Sequence, residues 1–156
     1  MGPDIDTGTT IGSIAGGHLS IAVGSYDAHK SDRPISWFSS AGPTRNGRDK
    51  PEISAPGEGV MAAHSRTGRG VVAKSGTSMA APAAAGIIAL LLDEAQARGL
   101  SLSVHDIRNV VLASARRDPP GGTGWHARFG HGRISAHRII EDFLTTHAPP
   151  SAPPTA

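Results

Sequence analysis

Cysteine is absent from this 156-residue chain, which excludes disulfide staples and thiolate metal sites and leaves the redox compartment open. The start carries no charged segment followed by an apolar stretch, and no apolar run in the sequence reaches membrane-spanning length. Neither a signal peptide nor a membrane span is expected, which leaves secretion undecided. Charge is nearly balanced at +2, with arginines outnumbering lysines among the basic residues. Those arginines are scattered and no aromatic motif of the RNA-binding kind accompanies them, so nucleic acid is not an expected partner. Eight histidines are present, yet His126, His131 and His137 match no zinc-ligand spacing and are expected on a loop and at a helix start. No internal repeat is found.

What remains is ordinary globular material. A hydrophobic share of 38% excludes wholesale disorder, and the 20 glycines and 12 prolines imply many loops. Residues 1–17 form a Gly/Thr/Asp-rich lead without periodicity. Strands are predicted over 19–26 and 35–39, and a hairpin over 60–64 and 71–74, joined by the turn Arg66-Thr67-Gly68-Arg69-Gly70. Asn46-Gly47 marks a turn within the connection 42–51. A long helix is predicted over about 77–98, apolar all round from Met79 to Leu92 and so buried on every side, with Gly99 as its stop. A second helix starts at the capping-box pattern of Ser103 and Asp106, and a third runs over about 135–146 behind Ser135. Residues 148–156 read as an unpacked, disordered Pro/Ala tail.

The densest signal is Gly76-Thr77-Ser78-Met79-Ala80-Ala81-Pro82. It sets a serine between a β-branched run and the long helix, where unpaired helix N-terminal amides can stabilise developing negative charge. Pro82 near the first turn costs the helix little. This stretch resembles the serine box G-T-S-[MA]-[AS]-x-P of the subtilisin-like serine proteases, the subtilases. Phe38-Ser39-Ser40-Ala41-Gly42-Pro43-Thr44 and Lys50-Pro51-Glu52-Ile53-Ser54-Ala55-Pro56-Gly57 are similar to two further segments of that family. So are Leu19-Ser20-Ile21-Ala22-Val23-Gly24-Ser25-Tyr26-Asp27 and Phe129-Gly130-His131-Gly132-Arg133-Ile134. The matches fall in the family's order over roughly residues 10–145.

The resemblance implies an α/β fold: the C-terminal half of a three-layer subtilisin-like domain with a parallel sheet, incomplete in this chain, over residues 18–147. It implies Ser78 as the nucleophile of an acyl-enzyme endopeptidase and Thr77 as a neighbour of the oxyanion hole. The family's triad aspartate, histidine and oxyanion asparagine lie, by analogy, ahead of this segment, together with most of the main specificity pocket. No H-G-T-x-[VC]-A-G stretch supplies a base. Asp4-Ile5-Asp6-Thr7-Gly8 imitates the aspartate box but lacks the buried strand before it and lies too near Ser78, so Asp6 is read as a loop residue. His64 remains near enough in sequence to be a neighbour of Ser78.

The expected partners are a peptide or protein substrate and the missing N-terminal half of the domain. No cofactor is expected for the chemistry; structural calcium and an extracellular location follow only from family analogy. The isolated chain is expected to be inactive, marginally stable and prone to self-association, because unpaired strand edges would be exposed. Two other readings stand beside this one. The chain could be a non-catalytic pseudoenzyme or complementing module. Alternatively, an α/β-hydrolase-type nucleophile elbow could use Ser78 with Asp118 and His131.

Overall fold

A computed structural model describes residues 7–117 and 124–147. Asp6, Asp118 and the 148–156 tail lie outside the described residues. In chain order, after a short 3-10 turn at Ser13–Gly16, the elements are β1 (Val23–Tyr26), β2 (Ile53–Pro56), β3 (Val60–Ala63), β4 (Val71–Lys74), α1 (Thr77–Ala97), α2 (Val104–Ala113) and α3 (Ala136–Thr146).

The centre is β2. It pairs in parallel with β1, Val23 opposite Ile53 and Tyr26 opposite Pro56. Its other edge takes up the chain around Arg133, where the Ser54 amide donates to Gly132 O and the Ile134 amide donates to Ser54 O, both at 2.9 Å. Alternation then sorts the side chains: Ile53 and Ala55 point to one face and are fully buried, while Ser54 is buried on the other. On the Ile53 side they meet Ala80, Ala84, Leu91 and Ala95 of α1, Val111 of α2, and Ile139 and Phe143 of α3, which make one core.

Local chemistry sets the helix ends as expected. Ser103 Oγ accepts from the Asp106 amide at 3.2 Å, while Asp106 Oδ2 accepts from the Ser103 amide at 2.9 Å, closing the capping box of α2. The Ser103 hydroxyl, which donates to Asp106 Oδ2 at 2.7 Å, and then the Ser103 amide hold the Asp106 carboxyl below its ordinary value of 3.8. Ser135 caps α3. Gly99, at φ +70°, ends α1 with amides of Gly99 and Leu100 returning to Gln96 O and Ala95 O, each at 2.9 Å. The predicted hairpin is β3–β4, antiparallel from Val60 opposite Lys74 to Ala63 opposite Val71.

Three expectations about the elements themselves fail, each for a visible reason. The strand over 19–26 shrinks to β1, because Ser20 and Ala22 are drawn into bonds with Lys50, Glu52 and Arg108 instead of a ladder. The strand over 35–39 reduces to a single antiparallel bridge from Ile35 to Tyr26, because the Ser39 amide turns back to Ser36 O at 2.9 Å and Trp37 faces solvent. Helix α1 is not buried on every side: its buried residues form one stripe, and Leu90 is 56% exposed. Among the described elements, β1, β2 and α3 pack most closely against it. Over its 21 residues α1 is in fact long and apolar enough to cross a membrane, correcting the expectation that no segment is. Its packed stripe is also what a core helix of a globular domain provides.

Candidate active site

The turn that carries Ser78 is built from two glycines. Gly76 adopts φ +155° and ψ +157°, a conformation that only glycine takes without strain. Its amide donates to Gly57 O at 2.8 Å. A side chain on Gly57 would collide with Ser25 Oγ and Gly76 O, so the approach requires glycine there too. Nearby, the Gly59 amide donates to Ser75 Oγ at 3.0 Å. These bonds pin the β4–α1 junction to the C-terminal end of β2, the end of a parallel strand at which α/β sheets bind ligands.

Ser78 is the second residue of α1 and is exposed. Among the described residues its hydroxyl has no hydrogen-bond partner, and neither have the amides of Thr77 and Ser78; the first helical bonds run from Met79 and Ala80 to Gly76 O. Pro82 has no amide to offer the Ser78 carbonyl. The result is a long helix whose free N-terminal amides lie beside a free hydroxyl. In front of it opens a groove of about 700 Å³, lined by Gly12–Ala15, Ser20–Val23, Thr77, Ser78 and Ala81. A smaller cavity of about 160 Å³ shares Thr77, Ala22 and Val23.

No imidazole bonds to Ser78 among the described residues. His64 follows β3, where its amide donates to Gly70 O at 3.1 Å. The Nδ1 of His126 accepts from the amides of Arg128 and Phe129 at 3.1 and 3.3 Å. His137 pairs with Glu141 at 3.3 Å on the surface of α3. Among the described residues no group of three His, Asp or Glu side chains gathers as a metal site.

The rival elbow fails on geometry. The His131 amide donates to Glu52 O at the start of β2, whereas the Ser78 turn binds Gly57 beyond its end. Five residues of extended chain, roughly 16 Å, separate the two backbones. His131 and Ser78 therefore belong to opposite ends of the strand.

Gly12–Ala15 were not expected beside Ser78 and Ser20–Val23 only as part of a strand, yet both line the groove in front of it. Their signal lies in contacts to residues far along the chain. Gly57 was visible as part of a motif, but its reason, the close pass of Gly76, is tertiary.

A serine raised on a strand–turn–helix junction at the C-terminal end of a parallel sheet is an arrangement of serine hydrolases. Residues 2–132 match the family model described as the subtilase family. Pyrolysin of Pyrococcus furiosus is 35% identical over 111 residues, covering 69% of this chain and 8% of the relative. Serine protease AprX of Bacillus subtilis is 38% identical over 109 residues, covering 60% of this chain and 24% of the relative. The solved structure of the CspB protease of Clostridium perfringens superposes with a TM-score of 0.78 at 31% identity, covering 91% of this chain and 30% of that one. The chain belongs to the subtilase family. It spans less than a third of the length of these relatives.

Proposed function

We propose that this chain is the nucleophile-bearing part of a subtilisin-like serine endopeptidase, with Ser78 attacking the peptide carbonyl. The observation that supports it most is the exposed Ser78 hydroxyl beside unpaired helix N-terminal amides, facing an open groove. The Ser78 amide is the backbone donor of the oxyanion hole, and Thr77 lines the hole beside it. Loss of one such donor costs about 3 kcal/mol of barrier. The attacking hydroxyl must lose its proton to a base, and a serine without one is a poor nucleophile at neutral pH. Among the described residues no group bonded to Ser78 fills that role. On this reading the triad aspartate and histidine and the oxyanion asparagine are supplied by polypeptide outside these 156 residues.

The exposed apolar side of α1, including Leu90 and Leu92, fits the same reading. It is surface that the remainder of a three-layer domain would cover. The peptide or protein substrate would lie in the groove lined by residues 12–15 and 20–23. The chemistry needs no cofactor.

The test is mass spectrometry of the full-length protein after reaction with a fluorophosphonate. The adduct is expected on the peptide containing Ser78 and is lost in Ser78→Ala. An adduct on another serine would refute the assignment.

A further inference from the structure

Ahead of β2 lies a buried group of charges that the nucleophile reading does not use. Glu52 and Lys50 side chains are each only 3% exposed, and Arg108 of α2 reaches them from the side. Glu52 Oε1 receives Lys50 Nζ at 2.6 Å and Arg108 Nη1 at 2.9 Å. Both cations then donate again, to one backbone atom: Ser20 O, at 2.6 Å from Lys50 Nζ and 2.8 Å from Arg108 Nη1. Glu52 Oε2 accepts from the Ala22 amide at 2.7 Å, and the Glu52 amide donates to Ala22 O at 2.9 Å. Both polar atoms of the Ala22 backbone are thus held by one residue. The chain of bonds continues through Ser20 Oγ, which donates to Ala15 O and Gly17 O at 3.2 and 3.0 Å.

Ser20, Ala22 and Ala15 are walls of the groove before Ser78. A buried ion cluster contributes little net stability compared with packed hydrocarbon, because desolvation offsets the attraction. What it does supply is fixed geometry: charge-assisted bonds are short and directional. Here they converge on the backbone of the groove wall.

We infer that Glu52, held between Lys50 and Arg108, is a positioning residue that fixes the groove wall against which the peptide substrate binds; this rests on the reading of Ser78 as nucleophile. The cluster sets the spacing between residues 12–15 and 20–23 and so acts on peptides, which fill the groove. It leaves a compact phosphonylating probe, which needs only the hydroxyl and its base, almost unaffected.

The experiment uses the full-length protein and counts active sites by fluorophosphonate labelling of Ser78. Peptide kcat and KM are then expressed per labelled site for Glu52→Gln, Lys50→Met and Ser20→Ala. Glu52→Gln is expected to lower kcat/KM for peptides roughly ten- to hundredfold, mainly through KM, with the labelling rate kept within about threefold. Ser20→Ala removes the hydroxyl links to Ala15, Gly17 and Lys50 while keeping Ser20 O, and is expected to show the same pattern at about threefold. It keeps the test decisive should Glu52→Gln fail to fold. A fall in the number of labelled sites with unchanged peptide KM and kcat per site would overturn the inference and leave the cluster a stability element. Absence of Ser78 labelling in the unaltered protein would remove the nucleophile reading, and this inference with it.

Discussion

The two ends of β2 are built on opposite terms. At its start, around Glu52, almost every polar atom is spoken for: Ala22, Lys50, Arg108 and His131 all bond to this one residue. Beyond its end, at Gly57 and Gly76, the backbone is just as tightly fixed, yet the Ser78 side chain it presents has no hydrogen-bond partner among the described residues. The contrast sets a polar network satisfied within the described residues against a hydroxyl that those residues leave open.

The sharpest way to break that contrast is Ser78→Ala in the full-length protein. Peptide turnover should fall by at least about 10³-fold with thermal stability little changed, since the hydroxyl bonds to none of the described residues. Retained turnover would show that the open end carries no chemistry.

Next in size are changes to the closed end and the core behind it. Leu91→Ala, fully buried against the sheet, should cost about 3 kcal/mol in urea unfolding of the full-length protein, whereas Leu90→Ala should cost far less unless it is covered by the rest of the domain. A comparable loss at both positions would show that the exposed side of α1 is a buried interface in the complete protein. Gly130→Ala should be destabilising by about 2 kcal/mol or more, because φ there is +67° and the added carbon would strike the Glu52 carbonyl.

The sequence made some of this legible and hid the rest for physical reasons. The capping box of α2, the Gly99 stop and the β3–β4 hairpin depend on residues close in the chain, and the pattern is enough for each. The Ser78 turn was recognised through its resemblance to a family rather than through periodicity. The central strand β2 was not: Pro51 and Pro56 bracket so few strand residues that no alternation can show, and its strand character comes from neighbours on both edges. The apolar run of α1 suggested burial on every side, which presupposes neighbours that these residues do not supply. The groove wall was invisible because Ser20 is held by Lys50 and Arg108, 30 and 88 positions away.

The smallest expected effect concerns acid. The Ser103 hydrogen bonds depress the Asp106 carboxyl, so its contribution to stability is present above its ordinary value of 3.8 and is lost as pH falls through the depressed folded value. The difference in melting temperature between the unaltered protein and Asp106→Asn should be modest near neutrality and shrink in strong acid. A difference that grows on acidification would contradict the capping account.

The claim on which everything else depends is that Ser78 is placed as a nucleophile but receives its base from elsewhere. The most direct measurement is the fluorophosphonate labelling rate of the isolated 156-residue chain, alone and after co-expression with a segment carrying the triad aspartate and histidine. The account predicts no labelling alone and labelling confined to Ser78 after complementation. Rapid labelling of Ser78 in the isolated chain would contradict it.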